Sequence, residues 1–158
     1  MAAVIIAIHG GEVLVDEADA HLLHGRSWFV QETSGGLKYA ISKRMGLHRL
    51  VIGATKGQLV DHVNGNGLDN RRENLRLCTH TQNMQNRKPS SAGLSPFKGV
   101  SLRSEPRPKP YLATIKAFGE RIHLGSFETE YAAARAYDRA AIIFHGKFAR
   151  TNASMGLL

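Results

Sequence analysis

The sequence predicts an α+β fold built from two modules, and three observations predict it. Residues 59–85 have the pattern of two short strands joined by an Asn- and Gly-rich loop and followed by a helix. Residues 97–145 have the pattern of three strands followed by one long helix. Between them, residues 87–96 hold two prolines, a glycine and three serines, which oppose regular structure. We therefore expect four segments, namely a front module at 1–88, a linker at 89–96, a rear module at 97–152 and a tail at 153–158.

The front module begins with a predicted hairpin around Gly10-Gly11, because apolar strand-like residues stand on both sides of these glycines. The acidic residues of 16–19 favour the first turn of an α-helix that continues through Leu23. Two more strands are expected on either side of Gly35-Gly36. A short helix is expected to begin at His48, although so short an apolar run does not separate helix from strand.

The chemistry of the front module is concentrated in residues 60–83. Asp61 and His62 end a short apolar run, and Asn and Gly residues from 64 to 70 predict a loop. A returning strand is expected at Leu75 to Cys78, followed by a helix that Thr79 or Thr81 caps. A strand pair packed on that helix brings Asp61 and Asn83 together, so that one hard cation fits between a carboxylate and a carboxamide.

The three strands of the rear module sort cleanly into two faces by alternation. One face is apolar and is expected to pack on the helix of residues 128–145, whose small alanines allow close approach. The other face is polar and cationic. Its members are Ser101, Arg103, Thr114, Lys116, Arg121 and His123.

Composition restricts the class of partner. The chain of 158 residues has 21 Lys and Arg against 13 Asp and Glu, a net charge of +8 that favours a polyanion such as nucleic acid. Residues 96–158 hold ten of the basic and five of the acidic side chains, so the rear module carries most of the excess. The single cysteine, Cys78, permits no intrachain disulfide. Residues 4–8 are too short to span a bilayer, so no membrane partner and a cytoplasmic location are expected.

Four groups of residues in the front module, taken together, resemble the ββα-metal motif of the HNH endonucleases, in particular the phage and homing branch. They are Asp61-His62, the Gly- and Asn-rich loop, Asn74-Leu75-Arg76 and Asn83. The resemblance implies that Asp61 and Asn83 bind a divalent metal, that His62 is the general base and that Asn74 braces the loop. Many members of that family have histidine where this chain has Asn83. An amide oxygen there favours Mg²⁺ or Mn²⁺ over softer ions.

Two other interpretations of the loop were weighed. A solvated Asn- and Gly-rich turn with a surface histidine is the common outcome for an isolated Asp-His pair, but the matched spacing of four positions disfavours it. A calcium-binding EF-hand loop requires an oxygen ligand two residues after the first aspartate, where this chain has Val63.

The rear module resembles the APETALA or ethylene-response-factor DNA-binding domain. The resemblance depends on Lys98-Gly99-Val100, on residues 124–127, on the alanine-rich run 132–138 and on Arg150-Thr151-Asn152. It implies that the polar sheet face enters the DNA major groove. The implied DNA contacts are Lys98, Arg103, Lys116, Arg121 and His123. Ser101 and His123 depart from the arginine and tryptophan usual in plant members, so the plant target site is not transferred.

The sequence thus predicts a two-module, metal-dependent DNA endonuclease of the homing type. Double-stranded DNA is the expected partner, Mg²⁺ or Mn²⁺ the cofactor, and the host cytoplasm the location if a phage encodes the chain. One site per chain suits nicking by a monomer, whereas a homodimer would cut both strands. Two alternatives stay open, a DNA-binding regulator with a decayed nuclease module and a nuclease that acts on RNA or structured nucleic acid.

Overall fold

The computed structural model of the chain describes residues 2–89 and 95–158. It confirms an α+β fold of small antiparallel sheets and short helices. The chain divides into two compact units, Met1–Asn83 and Met84–Leu158, and each is described by itself. Most of the predicted linker, residues 90–94, lies outside the described residues. The module limits predicted from the sequence therefore stay predictions.

The first unit opens with an antiparallel hairpin of strands β1 (Ala3–Ile8) and β2 (Gly11–Asp16). The predicted α-helix after it is wrong in type, because Glu17–Leu23 is a 3₁₀ helix. Asp16 makes no side-chain cap there, since its carboxylate accepts the backbone N–H of Arg72. Asp19 likewise accepts the Arg72 guanidinium at 2.7 Å. The acids that would start a helix instead hold a distant turn.

A second sheet and a short helix follow the hairpin. Strands β3 (Phe29–Glu32), β4 (Lys38–Ser42) and β5 (Met45–Gly46) form an antiparallel sheet in that order. Helix α1 (Leu47–Ile52) begins at once and ends at Gly53, whose φ of +67° continues the chain in the left-handed region. Buried side chains from several elements of the first unit share one apolar core, which consists of Val13, Val15, Leu23, Trp28, Ala40, Leu47, Val51 and Leu75.

The last elements of the first unit carry the chemical segment. Strands β6 (Leu59–His62) and β7 (Leu75–Cys78) pair antiparallel, as the sequence predicts. Thr79 caps the next helix, α2 (His80–Gln85), because its Oγ1 accepts the backbone N–H of Gln82. A strand, loop, strand and helix therefore follow one another in the order that the sequence predicts.

The second unit is a three-stranded antiparallel sheet packed on one helix. Its strands are β8 (Val100–Leu102), β9 (Tyr111–Ala117) and β10 (Glu120–Phe127), with β9 in the centre. Helix α3 (Glu130–His145) starts at Thr129, whose side chain accepts the Ala132 N–H. The helix packs on the apolar face of the sheet through Tyr137, Ala140 and Ala141, which cluster with Ile115.

A buried polar cluster ties the two ends of the second unit together. Asn152 is fully buried, and its Oδ1 accepts the Lys98 N–H at 2.7 Å. The Asp138 carboxylate in α3 accepts from both nitrogens of Asn152 and from the Ala153 N–H. Since a buried polar group without partners is costly, these bonds join the segment before β8 to the segment after α3.

In the part of the chain that the structure describes, helices are too short or too polar to cross a membrane.

Candidate functional site

Asp61 and His62 are the last two residues of β6, and both are buried at 6% exposure. Pairing with β7 places Asp61 opposite Arg76 and His62 opposite Leu75. Leu75 belongs to the apolar core, so the strand pair is anchored from one side. The two side chains are therefore held on a rigid part of the unit, where a catalytic geometry keeps its accuracy.

The loop after His62 is fixed by hydrogen bonds from Asn74. Its Oδ1 accepts the Asn64 N–H at 2.9 Å, and its Nδ2 donates to the Asp69 backbone oxygen at 2.7 Å. The Asn74 backbone oxygen also accepts the Val63 N–H. Asn74 is buried, and it thus holds both ends of the loop with one side chain and one carbonyl.

The far side of the same loop is bonded to β2. Leu14 donates its N–H to the Leu68 oxygen and accepts the Asn70 N–H. The Asp69 carboxylate accepts the Asn64 amide and the Arg71 guanidinium, each at 2.8 Å. These contacts give an Asn- and Gly-rich segment a defined course, which explains how a polar loop stays ordered beside the two buried side chains.

Two rings enclose the His62 imidazole. The His48 ring centroid lies 5.2 Å from that of His62, and the Tyr39 centroid lies 5.8 Å from it. Two glycines leave space for these rings, because a Cβ at Gly46 would lie 2.4 Å from His48 and one at Gly67 would lie 2.6 Å from Tyr39. The sequence around both glycines is thus constrained by the rings that flank His62.

Burial sets the protonation of both imidazoles. It lowers the pKa of His62 below the usual 6.5, while Asn70 and the carboxylates of Asp61 and Asp69 act in the opposite direction. Burial, helped by the charges of His62 and Arg49, lowers the pKa of His48 to about 4. At neutral pH both rings are therefore neutral, and a neutral imidazole is the form that accepts a proton.

Arg76 makes a close ion pair with Asp61. Its Nη2 and Nε donate to Asp61 Oδ2 at 2.6 Å and 2.8 Å. The two side chains are 14% and 6% exposed, so the pair is largely removed from water. A carboxylate in this position interacts strongly with any cation that approaches.

Asn83 lies in α2, twenty-two residues after Asp61, and is partly buried. Among residues 2–89 and 95–158, no cluster of three or more His, Cys, Asp or Glu side chains is placed to hold a metal. An ion at Asp61 would therefore take amide oxygen, water or phosphate oxygen as its other ligands. This oxygen donor set fits Mg²⁺, which keeps several waters and binds few protein carboxylates. The residues present are compatible with the expected ion.

The cationic face predicted for the rear module is confirmed by the strand register. Lys116 pairs with Arg121 and Thr114 with His123, so these four side chains share one face. Lys116, Arg121 and His123 are exposed. Two like charges directly opposite each other disfavour the free sheet, and an anion placed between them removes that cost.

Two of the predicted DNA contacts have partners or surroundings that the sequence did not indicate. The Lys98 ammonium donates to the Gln85 backbone oxygen, and burial together with Arg150 lowers its pKa to about 8. A DNA contact by Lys98 would use the N–H donors that Gln85 leaves. Arg103 is half-buried and lines a surface concavity with Arg107 and Lys109, between the end of β8 and the hairpin that follows.

Sequence reasoning assigned no role to Tyr39, His48 or Arg76 within the site. The sequence predicts His48 only as the start of a short helix, and it places Tyr39 only near a strand that follows Gly35-Gly36. The contact of Arg76 with Asp61 could have been predicted from the register of the strand pair, because pairing His62 with Leu75 places Arg76 opposite Asp61. The ring contacts of Tyr39 and His48 could not be predicted in this way, because they join segments that do not belong to one sheet.

The family profile of HNH endonucleases matches residues 46–85, the segment from β5 to α2. An uncharacterized HNH endonuclease of Acanthamoeba polyphaga mimivirus is 32% identical over 131 residues, which are 79% of this chain and 66% of the viral protein. Protein 3.8 of Escherichia phage T7 is 33% identical over 60% of this chain and 76% of its own length. Residues 46–85 therefore carry an HNH endonuclease domain.

The rear part of the chain has a relative of another kind. APETALA2-like protein 2 of Oryza sativa subsp. indica is 48% identical over 61 residues, 38% of this chain. The chain spans only 14% of that plant protein and just under two thirds of the mimivirus protein. No solved structure gave a significant match.

Proposed function

We propose that the protein is a divalent-metal-dependent DNA endonuclease that hydrolyses phosphodiester bonds. The observation that carries this proposal is the placement of Asp61 and His62 side by side at the end of β6, buried and beside a loop that Asn74 braces. The segment is the one matched by the HNH family profile. At the end of β6, the carboxylate can act as a metal ligand and the neutral imidazole next to it can accept a proton.

The role of each residue follows from its chemistry. His62 accepts the proton of the attacking water, since burial keeps its ring neutral at cellular pH. Tyr39 and His48 fix the orientation of that ring. Asp61 and Asn83 would hold Mg²⁺ or Mn²⁺, and Asn74 keeps the loop in place. When bound, the metal supplies charge stabilisation to the leaving oxygen.

The cationic sheet face supplies affinity for duplex DNA and some sequence preference. Arg121, Lys116 and His123 are exposed on one surface, and the like charges of the first two favour a phosphate between them. Docking of this face in the major groove, with Arg103 and Lys98 at its margin, is the arrangement that the resemblance implies. The limits 1–88 and 97–152 for the two modules belong to the same proposal.

The viral and phage relatives favour a phage or other mobile-element origin and a homing-type role in the host cytoplasm. A single site per chain favours nicking by a monomer, whereas a homodimer would bring two sites to opposite strands. A DNA-binding regulator without nuclease activity is the alternative, and the second unit alone would suffice for it.

A supercoiled plasmid distinguishes the nuclease from the regulator. With Mg²⁺ or Mn²⁺, the full chain should convert the plasmid to nicked or linear form, and chelation of the metal should stop the reaction. Asp61→Ala and His62→Ala should each lower the rate at least about 10²-fold while DNA binding is kept. The control is His24→Ala, an exposed histidine of the same unit, which should cleave as the wild type does. Binding without cleavage under every metal would favour the regulator.

A further inference from the structure

Arg76 is the most buried arginine among the ion pairs of the described residues. Its side chain is 14% exposed, compared with 30% for Arg71 on Asp69 and 51% for Arg72 on Asp19. The partner of Arg76 is Asp61, the carboxylate that the proposed function makes a metal ligand. A cation of the protein itself thus sits on the oxygen where an external cation is expected.

The strand register makes this contact a property of the fold. Asp61 and Arg76 are paired residues of β6 and β7, and antiparallel partners on one face have side chains within reach of each other. Arg72 and Asp19 have no such strand pairing, since one lies in a 3₁₀ turn and the other in a 3₁₀ helix. The strand pairing therefore keeps Arg76 beside Asp61, so an arriving ion meets the guanidinium already bonded to this carboxylate.

We propose that Arg76 neutralises Asp61 in the metal-free protein and competes directly with the divalent ion for that carboxylate. This inference rests on the proposed metal site. Mg²⁺ binds carboxylate oxygen at about 2.0–2.1 Å, whereas Oδ2 already accepts two short hydrogen bonds from one guanidinium. Repulsion between the ion and a cation held a few ångströms away is large where water is excluded.

The competition has two consequences for the protein. Without metal, Arg76 removes the cost of a buried, uncompensated carboxylate, so the site is stable before any ion binds. With metal, the same residue weakens the affinity of the site. A site of this kind fills at a lower metal concentration when a further negative charge, such as a phosphodiester, arrives and partly offsets the two cations. Metal binding and DNA binding would therefore support each other.

The first test measures Mn²⁺ binding to the full chain by titration calorimetry. Arg76→Gln should bind Mn²⁺ at least about tenfold more tightly than the wild type, because one positive charge next to the ion is gone. The matched control Arg72→Gln removes an arginine that is half exposed and pairs with Asp19 instead of Asp61, so it should leave the affinity unchanged. Asp61→Ala assigns the site, since it should abolish this binding event.

The outcomes separate the two proposals. Equal or weaker Mn²⁺ binding by Arg76→Gln, with Asp61→Ala abolishing it, would overturn the competition and make Arg76 a permanent brace, while the metal site would stand. Unchanged binding in Asp61→Ala would overturn the metal site and the competition together.

A second measurement needs no variant and covers the case in which Arg76→Gln does not fold. The Arg76 Nε–H should be protected from solvent exchange in the metal-free wild type, because it donates to Asp61 within a buried pair. Saturation with Mg²⁺ should shift its NMR signal and raise its exchange rate at least about tenfold, as the bond to Asp61 is released. An unshifted signal with unchanged protection at saturating Mg²⁺ would overturn the proposal.

Discussion

At the scale of the residue, the site depends on a few side chains whose surroundings decide their chemistry. The proposed role of His62 as a proton acceptor depends on its burial beside two rings, which keeps the imidazole neutral. His48, with a pKa lowered to about 4, stays neutral beside it and adds no charge to the place where a phosphate is expected. Because the pKa of His48 is lowered, the stability of the folded protein should depend on pH in the acidic range.

The free energy of unfolding should decrease as the pH falls from 6.5 to 4, and His48 should contribute to the decrease. In this interval the unfolded chain binds the proton and the folded protein does not, so stability present above pH 6.5 is lost towards pH 4. The loss due to His48 is about 3 kcal/mol at most. His48→Phe keeps a ring and should flatten the decrease, which urea unfolding at a series of pH values measures.

The control for this prediction is His24→Phe. His24 is exposed, so its replacement should leave the pH dependence as it is in the wild type. Identical pH dependence in His48→Phe and His24→Phe would contradict a buried, neutral His48.

Residue identities near the motif could be predicted from the sequence, and their contacts could not. Asp61, His62 and Asn74 follow one another within a hairpin, so local spacing determines where they lie. His48 meets His62 only through the packing of α1 against distant strands, and Tyr39 reaches the same place from another sheet. Alternation and turn chemistry contain no information on such contacts between segments.

At the scale of the element, alternation predicted the strands well and charge predicted one helix badly. Strand β9, Tyr111–Ala117, has Thr114 and Lys116 on its polar side, as alternation predicts, and buried Ala113 and Ile115 on its apolar side. The acidic run at 16–19 was predicted to start an α-helix. Instead, the carboxylates of Asp16 and Asp19 accept hydrogen bonds from the backbone N–H and the guanidinium of Arg72. An acidic side chain that is bonded to a residue distant in the sequence is not available to cap a helix, so its presence in the sequence does not predict one.

A glycine in the second unit tests how closely its helix packs on the sheet. Gly99 has φ +76°, and a Cβ there would lie 1.9 Å from the Tyr137 ring. Gly99→Ala should therefore destabilise the unit by backbone strain of about 1–2 kcal/mol and by a clash of about 1–3 kcal/mol more. Urea unfolding followed on the amide NMR signals of α3 measures the loss.

Gly119 provides a matched comparison. Its φ is +86°, but a Cβ there meets nothing within 4 Å, so Gly119→Ala should show the backbone strain alone. Equal destabilisation by the two substitutions would mean that Tyr137 does not press against Gly99.

At the scale of the whole molecule, the proposed function assigns cleavage to the first unit and DNA binding to the second. The first unit carries the Asp61 and His62 pair, and residues 96–158 carry ten basic against five acidic side chains. The division could be predicted from composition and from the Pro-, Gly- and Ser-containing stretch between the modules. Sequence patterns describe each module separately and contain no measure of how the two cooperate on DNA.

The proposed role of the second unit is tested by the salt dependence of DNA binding. Arg121→Ala should weaken binding to duplex DNA and reduce the slope of log affinity against log salt by about 0.9, as expected for one lost phosphate contact. Arg135→Ala is the control, because Arg135 is exposed on α3 while the cationic face is on the sheet. Equal effects of the two substitutions would remove Arg121 from the interface.

The proposed nuclease activity depends most on one divalent ion bound jointly by Asp61 and Asn83 next to His62. Crystals of His62→Ala, grown with duplex DNA and Mn²⁺ and measured at the manganese absorption edge, test this directly. We expect one anomalous peak per chain within about 2.5 Å of a carboxylate oxygen of Asp61 and of Asn83 Oδ1. A peak elsewhere in the chain, or an Asn83 side chain directed away from Asp61, would contradict it.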